Sequence, residues 1–327
     1  MSMALRRATR HPMSETADRP EELKPQGNWA RQPERGSLAL LRAMAWVSLH
    51  LGRRAGRGVL YLIVVYFFLF APTAAHHSRA YLRRVLGRAP RARDRFRQLL
   101  AFSTMIHDRV YLLNDRFGVF DIKVDAAPAL EQALADGTGC FLIGAHLGSF
   151  EIMRCFGRRK SGVEVVVAMY DQNARKISAV LEAINPRAQP EIIPLGTIDA
   201  MLRIRSRLSE GAFVGMLADR TFGAEPRIRV NFLGSPAPFP VGPWRAAALL
   251  RRRVLFVAGI YCGANRYRVV IEEVADFSEV NAQSRDAAVL SAIERYAALL
   301  EQYCHHYPYN WFNFFDFWQE QGPPAHA

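Results

Sequence analysis

Short apolar runs separated by amphipathic stretches make up most of the chain after residue 120. Runs at 140–145, 163–170, 191–195, 212–218, 254–261 and 267–274 have the length and composition of strands. Between several of them apolar positions recur at helical spacing, over 150–156, 174–184 and 198–208, the last closed by Gly211. A longer helical pattern covers 286–306 and leads into an aromatic tail. Strands alternating with helices predict an α/β unit with a mixed central sheet flanked by helices.

The N-terminal part of the chain follows other rules. Residues 1–36 are polar, rich in Pro, Arg and Glu, and lack periodicity, which predicts a disordered tail. Residues 39–52 carry apolar groups at helical spacing, and 58–75 (GVLYLIVVYFFLFAPTAA) contain no charge. The dense apolar core of that run, 59–70, is twelve residues long, whereas a membrane span needs about 20. Pro72 ends a helix there. Small residues after the run suit a signal peptide, but the 57 residues before it exceed an ordinary n-region unless translation starts at Met44. Arg42, Arg53, Arg54 and Arg57 precede the segment, and seven arginines from Arg79 to Arg95 follow it. The heavier positive flank predicts a large domain on the cytoplasmic side of a membrane. Arginines on both sides equally suit a helix lying in an anionic bilayer surface. Residues 37–77 are therefore read as a membrane-associated helical segment and 78–320 as the main domain, opening with basic-faced helices over 78–120.

Composition narrows the partners. Half the residues are hydrophobic, enough for a large core, and the net charge of +13 with a pI near 10 points to an anionic partner. Only four of the 43 basic residues are lysine, a bias that coding preference produces as readily as function, so charge alone does not choose the partner. Neither a zinc-finger nor an RNA-binding aromatic motif is present, which argues against nucleic acid. Cys140, Cys155, Cys262 and Cys304 are widely spaced without a C-x-x-C pair, so free thiols and no metal are expected. A serine hydrolase is disfavoured by the lack of a G-x-S-x-G elbow.

The chemistry concentrates in CFLIGAHLGSFE, residues 140–151. A buried strand runs into small residues, then His146, Gly148 and Ser149, then an amphipathic helix for which Ser149 is a candidate N-cap. This places His146 at the carboxyl edge of the sheet, where α/β proteins hold their ligands. His146 and Glu151 are five positions apart, which on one helix would separate them by about 140°. They meet only if His146 lies outside the helix and the chain folds back, a bend that Gly148 permits. A carboxylate on one ring nitrogen would then leave the other free to take a proton from a hydroxyl. The spacing alone equally fits a loop histidine and a solvated glutamate.

GAHLGSFE, then LADRTFG at 217–223, FLGSPAPFPVGP at 232–243 and PYNWFNFFDFW at 308–318, taken in order, resemble the bacterial lipid A biosynthesis acyltransferases. These belong to the broader lysophospholipid and glycerolipid acyltransferase superfamily. The resemblance covers about 39–318. It implies fatty acyl transfer from acyl carrier protein, or acyl-CoA, to a hydroxyl of a membrane lipid or glycolipid at a bacterial inner membrane. It implies no cofactor, metal or covalent acyl-enzyme. By position, His146 corresponds to the base and Glu151 to its acidic partner, while Gly234 and Pro236 match a turn that shapes the substrate cleft. Asp219 matches a further block in which the family usually has Asp-Gln, so Arg220 is a departure that bears on the acceptor. The closing aromatic block departs as well. Asp219 suits a structural acceptor as well as a catalytic role. Arg220, or amides near Gly148, are candidates to hold a tetrahedral oxyanion. Arg175, Arg227, Arg229 and Arg245 are candidate phosphate binders or plain surface charges. The aromatic tail fits core packing, an acyl groove or lipid contact. Two alternatives stand beside this reading: a lysophospholipid or ornithine-lipid acyltransferase, and a non-catalytic lipid binder on the same fold.

Overall fold

The computed structural model describes residues 38–126, 128–154, 162, 164–188, 190–221 and 225–318; the tail predicted over 1–36 lies outside them. Strand β1 is Asp121–Ala126, β2 Phe141–Gly144, β3 Val165–Tyr170, β4 Ile192–Leu195 and β5 Phe213–Leu217; β6 is Arg227–Phe232, β7 Ser235–Pro240, β8 Arg253–Tyr261 and β9 Arg266–Asp276. Seven of them form one sheet in the order β1-β9-β8-β2-β5-β3-β4. β8, β2, β5, β3 and β4 run parallel, while β9 returns antiparallel beside β8 and carries β1 parallel to itself. The mixed sheet follows the predicted fold class. Its centre is apolar throughout: β2 (FLIG) is buried along its whole length, as a strand covered on both faces must be.

The helices are α1 Leu38–Phe70, α2 Pro72–Leu86, α3 Ala92–Leu113, α4 Pro128–Asp136, α5 over residues 150–154, α6 Asp171–Ile184, α7 Ile198–Ser209, α8 Gly242–Leu249 and α9 Arg285–His306. The last two residues of the helix predicted over 150–156 lie outside the described residues. Five elements lack the sequence pattern that marks the others. β1 (DIKVDA) is a half-polar edge strand, α4 and α8 are short, and β6 and β7 carry arginines and three prolines in a two-stranded ribbon. That ribbon tolerates proline because it is all edge. Its two-residue turn, Leu233 and Gly234, has positive φ at both positions, the geometry that matches strand twist in tight hairpins.

The two apolar stretches predicted near the N-terminus form one helix, α1, kinked at Gly52 where φ is +84°. It ends before Pro72, which opens α2 as its first residue, and the two helices are bent by 90°. α1 packs on α3 and α6. Arg53 makes a bidentate pair with the buried Asp108 of α3 at 2.8 and 2.7 Å, and Tyr267 of β9 donates to the same carboxylate at 2.8 Å. Arg53 and Arg57 also reach the carbonyl of Ala264. Beside this clamp Ser48 contacts Nε2 of His107 at 2.8 Å, and burial pushes the His107 imidazole down to about 4, so it is neutral at neutral pH. Removing one member of a buried ion pair strands the other charge, at a cost of about 3–5 kcal/mol. Asp108→Ala is therefore expected to lower unfolding stability by about that much, read by denaturant titration. A loss below about 0.5 kcal/mol would show that the pair does not hold α1.

Candidate active site

The site arises from the register of two neighbouring strands. β2 and β5 are parallel, with Gly144 opposite Leu217, and the ladder closes with Ala218 N–H donating to the Gly144 carbonyl at 3.1 Å. Two residues beyond each strand end stand His146 and Asp219, so equal register brings them together at the carboxyl edge. His146 Nδ1 lies 2.8 Å from Asp219 Oδ1. The His146 backbone N–H donates to Oδ2 at 2.9 Å, and Trp311 Nε1–H donates to the same oxygen at 3.0 Å. Tyr296 of α9 donates to the Gly144 carbonyl at 2.8 Å, fixing the end of β2.

Asp219 is fully buried. Burial by itself raises a carboxyl pKa; the His146 charge and hydrogen bond, the Arg220 charge and the Trp311 donor outweigh it and hold Asp219 well below the usual carboxylate range. An ionised carboxylate only accepts, so Nδ1 of His146 carries the proton. Nε2 is then the basic nitrogen of the neutral ring, and no described residue bonds to it. A third of the His146 side chain is open to solvent. Burial and the Arg220 charge lower its pKa, against the opposing pull of Asp219.

Glu151 does not reach His146. As expected, His146 lies outside α5, Gly148 bends the chain with φ +74°, and Ser149 caps the helix through Ile152 N–H at 3.4 Å. Yet the Glu151 carboxylate turns to Arg154, one helical turn on, taking bonds at 3.1 and 2.9 Å from a buried guanidinium. An acid from the next strand occupies the place that the family resemblance implied for Glu151. Gly148 serves packing: a Cβ there would lie 2.2 Å from the Gly259 carbonyl oxygen of β8. Its N–H donates to the Asn310 carbonyl at 2.9 Å, and the Ser149 N–H to the Gly259 carbonyl at 2.7 Å. Those two amides are thus occupied and are not oxyanion donors.

Arg220 does sit at the site. It donates to the Phe312 carbonyl at 2.9 Å and lies over the Phe315 ring at 5.0 Å. Burial, opposed by Asp219, pushes it down to about 10, so it remains charged at neutral pH. Gly234 and Pro236 lie in the β6–β7 hairpin, whose Leu233 N–H is taken by Glu301 and whose Ser235 is held by Arg84. That hairpin reaches the dyad through Phe232, which packs on Trp311 with ring centroids 5.3 Å apart. Arg175 and Arg245 are exposed on α6 and α8, and Arg229 is exposed on β6 while Arg227 is half-buried. A cavity of about 650 Å³ between β6 and α9, lined by Arg229, Glu294, Gln302 and His305, contains neither dyad member. Gly223, the end of the LADRTFG block, is outside the described residues. Among the described residues no cluster of His, Cys, Asp or Glu suits a metal, and Cys140, Cys262 and Cys304 are free thiols; Cys155 is outside them.

In the sequence, Trp311 stands in an aromatic block that gives it no polar role. Its only signal was an indole N–H in a segment dense enough to be buried, where such a donor requires an acceptor.

No curated protein matches the chain. The family model for bacterial lipid A biosynthesis acyltransferase matches residues 103–320, two thirds of the sequence, and both His146 and Asp219 fall within it. The chain therefore belongs to the bacterial lipid A biosynthesis acyltransferase family and is an acyltransferase of lipid biosynthesis.

Proposed function

We propose that this acyltransferase moves a fatty acyl chain from acyl carrier protein, or from CoA, to a hydroxyl of a membrane lipid or glycolipid, with His146 as general base and Asp219 as its partner. One observation carries the reading: the buried carboxylate of Asp219 on Nδ1, which leaves Nε2 as the basic nitrogen of a ring one third open to solvent. Nε2 takes the proton of the acceptor hydroxyl as its oxygen attacks the thioester carbonyl. The tetrahedral oxyanion collapses with cleavage of the C–S bond, and the imidazolium returns its proton to the departing thiolate. Asp219 stabilises the imidazolium between these steps without taking the proton itself. Arg220, charged and coupled to both His146 and Asp219, is the candidate to hold the oxyanion.

Membrane attachment belongs to the same proposal. The distal half of α1 exposes Val59, Leu62, Val65, Tyr66, Leu69 and Phe70, with Leu62 73% exposed. Exposed Arg54 precedes this surface, and exposed Arg79 and Arg83 follow it. Among the described residues no single helix is long and apolar enough to cross a membrane, although the bent α1–α2 pair has the length and composition. An apolar strip bounded by arginines suits an anionic bilayer surface on the cytoplasmic side.

His146→Ala is expected to abolish acyl transfer in a folded protein, and Asp219→Asn to lower kcat by about 10²–10⁴. Glu151→Gln should cost stability and leave kcat within about tenfold; the reverse ranking of the two acids in turnover assays would return the partner role to Glu151. Because a base must be neutral and the His146 pKa is lowered, kcat/KM should rise with pH through a midpoint below 6.5. A midpoint above that value would contradict the assignment. Vesicles containing anionic lipid should retain the protein in flotation, less so at high salt, and Leu62→Glu with Phe70→Glu should release it. Equal flotation of that variant would remove α1 from the membrane contact.

A further inference from the structure

The C-terminal segment after α9 returns across the site and pairs with the loop that carries His146. Leu147 and Trp311 form an antiparallel bridge, Phe312 N–H donates to the His146 carbonyl at 2.9 Å, and the Gly148 N–H goes to Asn310. The segment is itself anchored from outside the sheet. Tyr81 of α2 donates to the Pro308 carbonyl at 2.9 Å, and Gln98 of α3 to the Trp311 carbonyl at 2.7 Å, with Ser78 holding Gln98 at 2.5 Å. Asn310 pairs with both backbone groups of Tyr261 at the end of β8. The Trp311 ring is wedged among Tyr81, Phe317 and Phe232, with centroids 4.9–5.3 Å away. A wedged indole has little freedom, so its N–H is aimed by packing at one place, Asp219 Oδ2.

We propose that Trp311 is a positioning residue for acyl transfer: its indole N–H orients the Asp219 carboxylate and draws charge from it, setting how strongly Asp219 holds the His146 imidazolium. The proposal rests on His146 being the base. Oδ2 accepts from Trp311 and from the His146 backbone, which leaves Oδ1 to face Nδ1. Without the indole donor, more negative charge is left for the imidazolium, and rotation of the carboxylate is opposed by one bond fewer. Four other ionisable groups around the dyad do not titrate between acid and neutral pH. Arg220 beyond β5 stays protonated, and burial raises the Tyr296 hydroxyl and Cys304 thiol of α9, as it raises Tyr81 of α2. None of these four contributes to the acid limb of the rate profile, which follows His146.

Trp311→Phe keeps an aromatic ring and removes the donor. The expected result is a fall in kcat of about tenfold with KM nearly unchanged, and an acid limb moved upward by about half a pH unit or more. Lower stability with the acid limb and the balance of kcat and KM unmoved would overturn the proposal, since that is what lost packing alone produces. If the variant fails to fold, the native chain answers the same question. With ¹⁵N-indole tryptophan, the Trp311 N–H resonance, assigned by its contact to the Tyr81 ring, should move with the same midpoint as the His146 imidazole. An indole resonance indifferent to that titration overturns the coupling. This readout needs no turnover, so it separates failure of the tryptophan role from failure of the general-base reading, which His146→Ala tests.

Discussion

Asp219 is a carboxylate with no access to water, and the arrangement of the site follows from keeping it ionised there. Removing such a group from solvent costs several kcal/mol even after relaxation. Hydrogen bonds to a charged group return about 1.5–3 kcal/mol each, so one donor is insufficient and three together offset the cost. The three come from two segments: the imidazole and the backbone N–H of His146 after β2, and the indole of the C-terminal segment. The charge thereby ties together three parts of the chain that are distant in sequence, and loss of any one leaves the others around an under-satisfied anion.

The glycines at the corner serve this same constraint. For His146 to offer both its ring and its backbone N–H to one carboxylate, the chain has to turn immediately afterwards and press against β8. Gly148 and Gly259 make that approach at distances no Cβ allows. The close contact directs the Gly148 and Ser149 amides to carbonyls. Arg220 is a charged group beside the imidazole, with its guanidinium held by the Phe312 carbonyl and the Phe315 ring. The C-terminal segment thus touches the acid, the histidine backbone and the arginine together.

The N-terminal helix is coupled to this unit more firmly than its composition suggests. Arg53, Asp108 and Tyr267 join α1 to α3 and β9 through a carboxylate as buried as Asp219. Its apolar strip is therefore presented at a set angle to the sheet.

Much was legible from sequence because it depends on local chemistry. Apolar runs of strand length marked six of the seven main-sheet strands, and Gly148 between a histidine and a helix start signalled the corner that places His146. The ordered motifs identified the family. Elements without such a pattern escaped: β1 is half polar, and the β6–β7 ribbon is written in arginine and proline. The partner of His146 was beyond local reading for a different reason. Glu151 is near in sequence, but a helix turn delivers it to Arg154, whereas Asp219 is 73 residues away and arrives because β5 lies next to β2 in register. Strand order and register are set by the packing of the whole sheet, and no spacing within a single segment encodes them.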